Sequence, residues 1–124
     1  MNAIEQLYRN SKLVTKDGYV KVRNGLWVKS GPYQEQEWYD TDKSILPTNK
    51  ELNEIRLKFQ ELIQIQEACG LPSLQQILED EYPWVWVSAE YNPNNPWLQR
   101  MSDGYLANPS ETSSNWVIPV RRIS

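Results

Sequence analysis

Trp84-Val-Trp-Val-Ser-Ala-Glu-Tyr91, Pro96-Trp-Leu-Gln-Arg-Met-Ser-Asp-Gly-Tyr105 and Asn115-Trp-Val-Ile-Pro-Val-Arg-Arg122 fill the last third of this 124-residue chain. The first and third are rich in tryptophan and β-branched residues, which fit a pleated, half-buried surface. The second is short and ends at the turn signal Asp103-Gly104. Together they predict a compact β unit. Trp27, Trp84, Trp86, Trp97 and Trp116 fall in or beside such segments, and Trp38 falls in a loop ahead of a long helix. Each indole can bury roughly 150–250 Å². A small sheet under helices can therefore build a core from a chain of polar average, with Trp27, Trp86, Trp116 and Phe59 as its expected members.

Working outward, Tyr19-Val-Lys-Val-Arg23, Asn24-Gly25 and Leu26-Trp-Val-Lys-Ser30 read as a β-hairpin, because Asn-Gly tolerates the positive φ angles of a type I′ turn and the flanks alternate. Residues 31–46 lack periodicity and read as an ordered loop whose aromatic residues pack over the sheet. Thr48-Asn-Lys-Glu51 is a capping box that starts the main helix. Leu52, Ile55, Phe59, Leu62 and Ile63 share one face of that helix, predicted over Asn49 to Cys69, and Gly70 suits its C-terminus. Ser73-Leu-Gln-Gln76 repeats the capping pattern for a shorter helix that ends near Asp80. At the other end, Ile4, Leu7 and Tyr8 lie at helical spacing, so residues 1–18 form a short helix or docking arm, either as core cover or as an oligomer contact.

By length the chain is one domain, residues 1–124, without room for a separate catalytic domain. Its net charge of −3 gives no electrostatic footprint for nucleic acid. No run approaches the ~18 apolar residues of a membrane span, and the N-terminus lacks the order of a secretory signal. Synthesis in the cytoplasm, with later association with a virion, is the expectation that follows. Cys69 is the single cysteine and there is no histidine, so an internal disulfide and a zinc site are both disfavoured. Cys69 reads as a small core residue. Glu79, Asp80 and Glu81 read as a solvated acidic face, since no loop has the spaced carboxylates of a calcium site. No metal or other cofactor is implied.

The C-terminal stretch, taken with its upstream companions, resembles the carboxy-terminal domain family of the Lcl collagen-like adhesins, which has a C-type-lectin-like fold. The matching positions are Trp86, Ser88, Glu90, Tyr91, Trp97, Met101, Ser102, Asp103, Gly104, Trp116, Val117, Pro119, Val120 and Arg121. Upstream, Gly25-Leu26-Trp27 and Leu71-Pro72-Ser73 with Ile77 fall in family order, so the likeness spans about Tyr19 to Arg121. Gly70 and Ile118 stand where arginine is frequent in the family, differences expected to alter surface chemistry. The resemblance implies an α+β domain: a twisted antiparallel sheet carrying two helices, with the N-terminal hairpin close to the final strand. It further implies a non-enzymatic binding domain of adhesin type. Related lectin-like domains occur on phage tail fibres and other surface-display proteins.

Between Tyr91 and Trp97, Asn-Pro-Asn-Asn-Pro combines turn formers with exposed amides, and residues 106–115 are again rich in Asn, Ser and Thr. If the intervening strands are adjacent, these loops present Tyr91, Asn92, Asn94, Asn95, Trp97, Tyr105 and Asn108 together as a candidate ligand-binding surface. Aromatic faces beside adaptable amides suit sugars and proteins alike. The bland alternative is that the rings are core and the asparagines end turns. Without histidine a triad of the usual kind is impossible, and Glu90 with Asp103 is the one carboxylate pair placed for glycoside hydrolysis. The reading is therefore not an enzyme but a binding domain for a surface glycan or receptor protein. The competing reading is a structural subunit whose loops and N-terminal arm contact other virion or fibre subunits, or further copies of itself.

Overall fold

The computed structural model describes residues 2–88, 96–108 and 113–123. Among them, helices and strands follow in runs as α1 (Ala3–Asn10), β1 (Tyr19–Arg23), β2 (Leu26–Lys29), β3 (Gln34–Glu37), α2 (Asn49–Leu57), α3 (Phe59–Ala68), α4 (Gln75–Leu78), β4 (Trp84–Val87), β5 (Trp97–Arg100), β6 (Leu106–Ala107), β7 (Ser114–Val117) and β8 (Val120–Arg121). The chain is a mixed α+β protein. Instead of one antiparallel sheet it builds two, ordered β1-β2-β8 and β3-β7-β4-β5-β6. The larger sheet is not purely antiparallel either. β4 and β7 run parallel, with Val85 opposite Trp116, and β7 lies between β3 and β4 in the strand order.

The hairpin forms where expected and lies against the last strand, with Trp27 opposite Arg121 and Val28 opposite Val120. Its turn differs from type I′. Gly25 takes a φ of 86°, but Asn24 stays out of the positive region, and a register shift between Lys21 and Arg23 absorbs the difference. Strand alternation then turns Leu26 and Val28 inward, both fully buried, and Trp27 outward. Trp27 is half-buried and belongs to neither core cluster, which corrects its expected role.

Residues 31–46 are more regular than a loop. β3 is an edge strand that pairs with β7 from Gln34–Val117 to Glu37–Ser114. Its sequence, Gln-Glu-Gln-Glu, has no apolar alternation to betray it, and charged residues on an edge discourage pairing with other chains. Single 3₁₀ turns follow at Trp38–Asp40 and Lys43–Ile45. The capping box is present, with the Glu51 amide donating to Thr48 Oγ1 at 3.1 Å and the Thr48 amide to Glu51 Oε1 at 2.8 Å. The long helix it starts is broken at Lys58 into α2 and α3. There the backbone leaves helical geometry (φ −108°, ψ 14°) and Nζ donates to the Val22 carbonyl at 2.6 Å. No periodicity encodes that long-range bond. In the next helix Gln76 closes no capping box. Its carboxamide instead accepts from the Tyr33 amide at 2.8 Å and donates to the Tyr33 carbonyl at 3.2 Å.

The main core gathers Val20, Val22, Leu26 and Val28 of the small sheet, Leu52, Ile55, Phe59 and Leu62 of α2 and α3, and Val85 and Val87 of β4. Gln66 is fully buried within it. Its Nε2 donates to Tyr33 Oη and Ser30 Oγ, and its Oε1 accepts from the Leu74 amide. Cys69 is buried, and burial raises its thiol pKa. A smaller cluster of Trp38, Leu46, Trp86, Leu98 and Val117 covers the opposite face of the large sheet. Trp38 and Trp86 meet there with ring centroids 5.2 Å apart, and Trp86 Nε1 donates to the Gln36 carbonyl at 2.8 Å. Trp116 is half-buried against the main core and donates to Asp80 Oδ2 at 2.8 Å. Ile118 is fully buried, so the residue at this position shapes the core and not the surface.

Candidate recognition surface

The larger sheet has two ends with different characters. β5 returns antiparallel beside β4, which sets Trp97 opposite Val87 and Arg100 opposite Trp84. β6 pairs on the other side, with Leu98 opposite Ala107 and Gln99 opposite Leu106. Continuing that register sets Asn108 opposite Trp97. Ser88, Trp97 and Asn108 thus mark one end of the sheet. Trp97 is 40% exposed there although Pro96 and Leu98 on either side are buried.

This end rests on a firm base. Gln99, fully buried on the same face of β5 as Trp97, donates to Asn49 Oδ1 at 2.7 Å and so ties the strand to the first turn of α2. The Ser88 amide donates to the Pro47 carbonyl at 2.8 Å, just ahead of the capping box. Arg122 then clamps the box from the C-terminal side: its Nε donates to Glu51 Oε2 at 2.7 Å and its Nη2 to the Leu46 carbonyl at 2.9 Å. Burial alone would raise the Glu51 pKa, but the Arg122 guanidinium and the Thr48 amide outweigh it and hold the carboxyl below its usual value.

Tyr105 does not join this surface. The Arg100 amide donates to its carbonyl at 2.8 Å, which puts Tyr105 at the far end of β5 and on the opposite face from Trp97. The Tyr105 ring, 61% exposed, meets Trp84 edge-on at 6.4 Å. The Arg100 guanidinium lies 5.4 Å from both ring centroids and is fixed by Asp103, which also accepts from the Tyr105 amide at 3.0 Å. Arg100 holds the Asp103 pKa down at about 2. Such a carboxylate stays ionised at neutral pH and makes a poor general acid. Of the sequence candidates, Trp97 and Asn108 therefore come together and Tyr105 stands apart. Tyr91, Asn92, Asn94 and Asn95, like Glu90, lie outside the described residues.

Sequence reasoning overlooked the Trp84–Arg100–Tyr105 stack, although Arg100 and Asp103 at a spacing of three were a readable signal. It also left Asp80 in a solvated acidic face, whereas that carboxylate accepts from both Trp116 Nε1 and the Tyr82 amide. No helix among the described residues is long and apolar enough to cross a membrane. No family model matches the chain, and no curated protein matches it.

Proposed function

We propose that this chain is a non-enzymatic binding module of C-type-lectin-like architecture that recognises a surface glycan or receptor protein at the Trp97–Asn108 end of its larger sheet. The observation that carries the reading is Trp97: an indole left exposed at the sheet end marked by Ser88 and Asn108, above a base locked by Gln99, Asn49 and Arg122. An exposed aromatic on a rigid support offers contact area at low entropic cost, and neighbouring amides supply adaptable hydrogen bonds. The resemblance of the Tyr19–Arg121 stretch to the Lcl adhesin domains suggests a display role such as that of a phage tail fibre.

The test is a glycan-array and cell-binding screen of the wild type against folded Trp97→Ala, Asn108→Ala, Asn95→Ala and Tyr105→Ala variants. Binding should fall at least tenfold for Trp97→Ala and stay near wild type for Tyr105→Ala. Equal binding by all five proteins would remove this end of the sheet from the site. A second reading, an assembly subunit without a receptor of its own, draws on α1, where Ile4 (57%) and Leu7 (65%) are exposed on one short helix. It predicts no glycan or cell binding by the wild type, and self-association or subunit binding that Ile4→Ser with Leu7→Ser abolishes.

A further inference from the structure

The outer face of the small sheet carries a groove, separate from the surface proposed above. Lys21, Trp27 and Arg121 lie opposite one another on β1, β2 and β8, forming a row roughly 10 Å long at the ordinary strand spacing. With Lys12 and Ile123 they line a groove of about 720 Å³, a size that suits a ligand. Trp27 is half-buried there and Ile123 is 51% exposed, so the floor is apolar and reachable.

The polar lining consists mainly of donors. Arg121 is already satisfied: its Nη2 donates to Asp17 at 2.8 Å and its guanidinium stacks 3.8 Å from the Tyr19 ring centroid. Lys12 and Lys21 make no ion pair among the described residues. Two uncompensated positive charges thus face the groove on a chain whose net charge is −3. Thr15 Oγ1 is spent, donating to Asp17 and accepting from the Tyr19 amide, which leaves the Asn24 carboxamide as the free side-chain acceptor of the lining. A sugar, with many hydroxyl donors, would find few acceptors here. Singly charged carboxylates set around an apolar side chain match both the donors and the floor.

Lys12 adds an independent observation. It follows α1 at the position where a helix end favours glycine, with the Leu13 amide closing back to the Tyr8 carbonyl at 3.1 Å, yet it is a lysine at φ 59°. Among the described residues it is the one non-glycine with positive φ. A residue kept in a strained conformation while its side chain lines a groove points to use of that side chain.

We propose that this groove binds an acidic peptide segment of a partner protein, seating an aromatic or aliphatic side chain on Trp27 and carboxylates on Lys12 and Lys21. The probe is a fluorescein-labelled random copolymer of glutamate and tyrosine, followed by fluorescence anisotropy at low and high salt, with polyglutamate and a heparin oligosaccharide as comparisons. The copolymer should bind at least tenfold more tightly than polyglutamate. Trp27→Ala, Lys21→Gln and Lys12→Gly should each weaken it at least threefold. Lys12→Gly should at the same time raise the melting temperature by roughly 2–6 °C, because glycine relieves the left-handed strain. That split separates loss of a contact from loss of fold. Absence of copolymer binding, binding insensitive to Trp27→Ala, or tighter binding of the heparin oligosaccharide at the same groove would each overturn the proposal.

Discussion

Replacing Trp86 by alanine should bring the fold close to collapse, and replacing Trp27 should not. The sequence treats the two alike, as tryptophans in alternating strands. The structure separates them, since Trp86 is fully buried between sheet and 3₁₀ turns while Trp27 is half-buried outside both clusters. Truncating a buried indole costs about 3–5 kcal/mol in transfer and cavity terms. Loss of the tilted contact with Trp38 adds about 0.5–1.5 kcal/mol, and the Gln36 carbonyl loses its donor for about 1 kcal/mol more. These terms overlap, so a total of about 4–6 kcal/mol is expected, against a stability of ~5–15 kcal/mol for a domain. Trp27→Ala should cost under about 1.5 kcal/mol. Urea titrations followed by far-ultraviolet circular dichroism avoid the change in fluorescence that each substitution brings. Losses of equal size, or a loss under about 2 kcal/mol for Trp86→Ala, would refute the two-cluster account of the core.

Gln66→Leu should destabilise by about 2–4 kcal/mol in the same titration, because it strands the Leu74 amide and removes a donor from Tyr33 Oη and Ser30 Oγ inside the core. Acid should weaken the fold through carboxylates with depressed pKa values: Asp17, held at about 2 by Arg121 and Thr15, and Asp103, held at about 2 by Arg100 and the Tyr105 amide. With a folded pKa below the unfolded value of ~3.9, their contribution is complete above about pH 4 and disappears as the pH falls towards 2. Thermal melts across that window should show a flatter pH dependence for Asp17→Asn with Asp103→Asn than for the wild type. Parallel curves would assign the acid sensitivity to other groups.

The legible features were those written in local chemistry. Asn24-Gly25 marks the hairpin, Thr48 and Glu51 mark the start of α2, and the tryptophan-rich segments mark β4, β5 and β7. The hidden ones depend on distant partners. β3 has no apolar residue to give it a period, and becomes a strand because β7 offers it a free edge. The break at Lys58 coincides with a bond to Val22, 36 residues earlier. Trp97 and Tyr105 looked like neighbours because the segments around them share a composition. Strand parity and register decide otherwise, turning one toward α2 and stacking the other on Arg100. Burial of Ile118 could not be read from a resemblance whose common residue there is a charged one.

The proposed recognition surface is tested most directly by nuclear magnetic resonance of the six tryptophan indole N–H groups, titrated with the glycan or receptor fragment selected in the binding screen. The indoles occupy different environments: Trp38 and Trp86 in the smaller cluster, Trp116 on Asp80, Trp84 under Arg100, Trp27 in the groove of the small sheet, and Trp97 exposed beside Asn108. Ligand should shift the Trp97 signal in a saturable way and leave Trp84 and Trp27 in place. Saturable shifts of Trp84 or Trp27 with Trp97 unmoved would contradict the placement of the site.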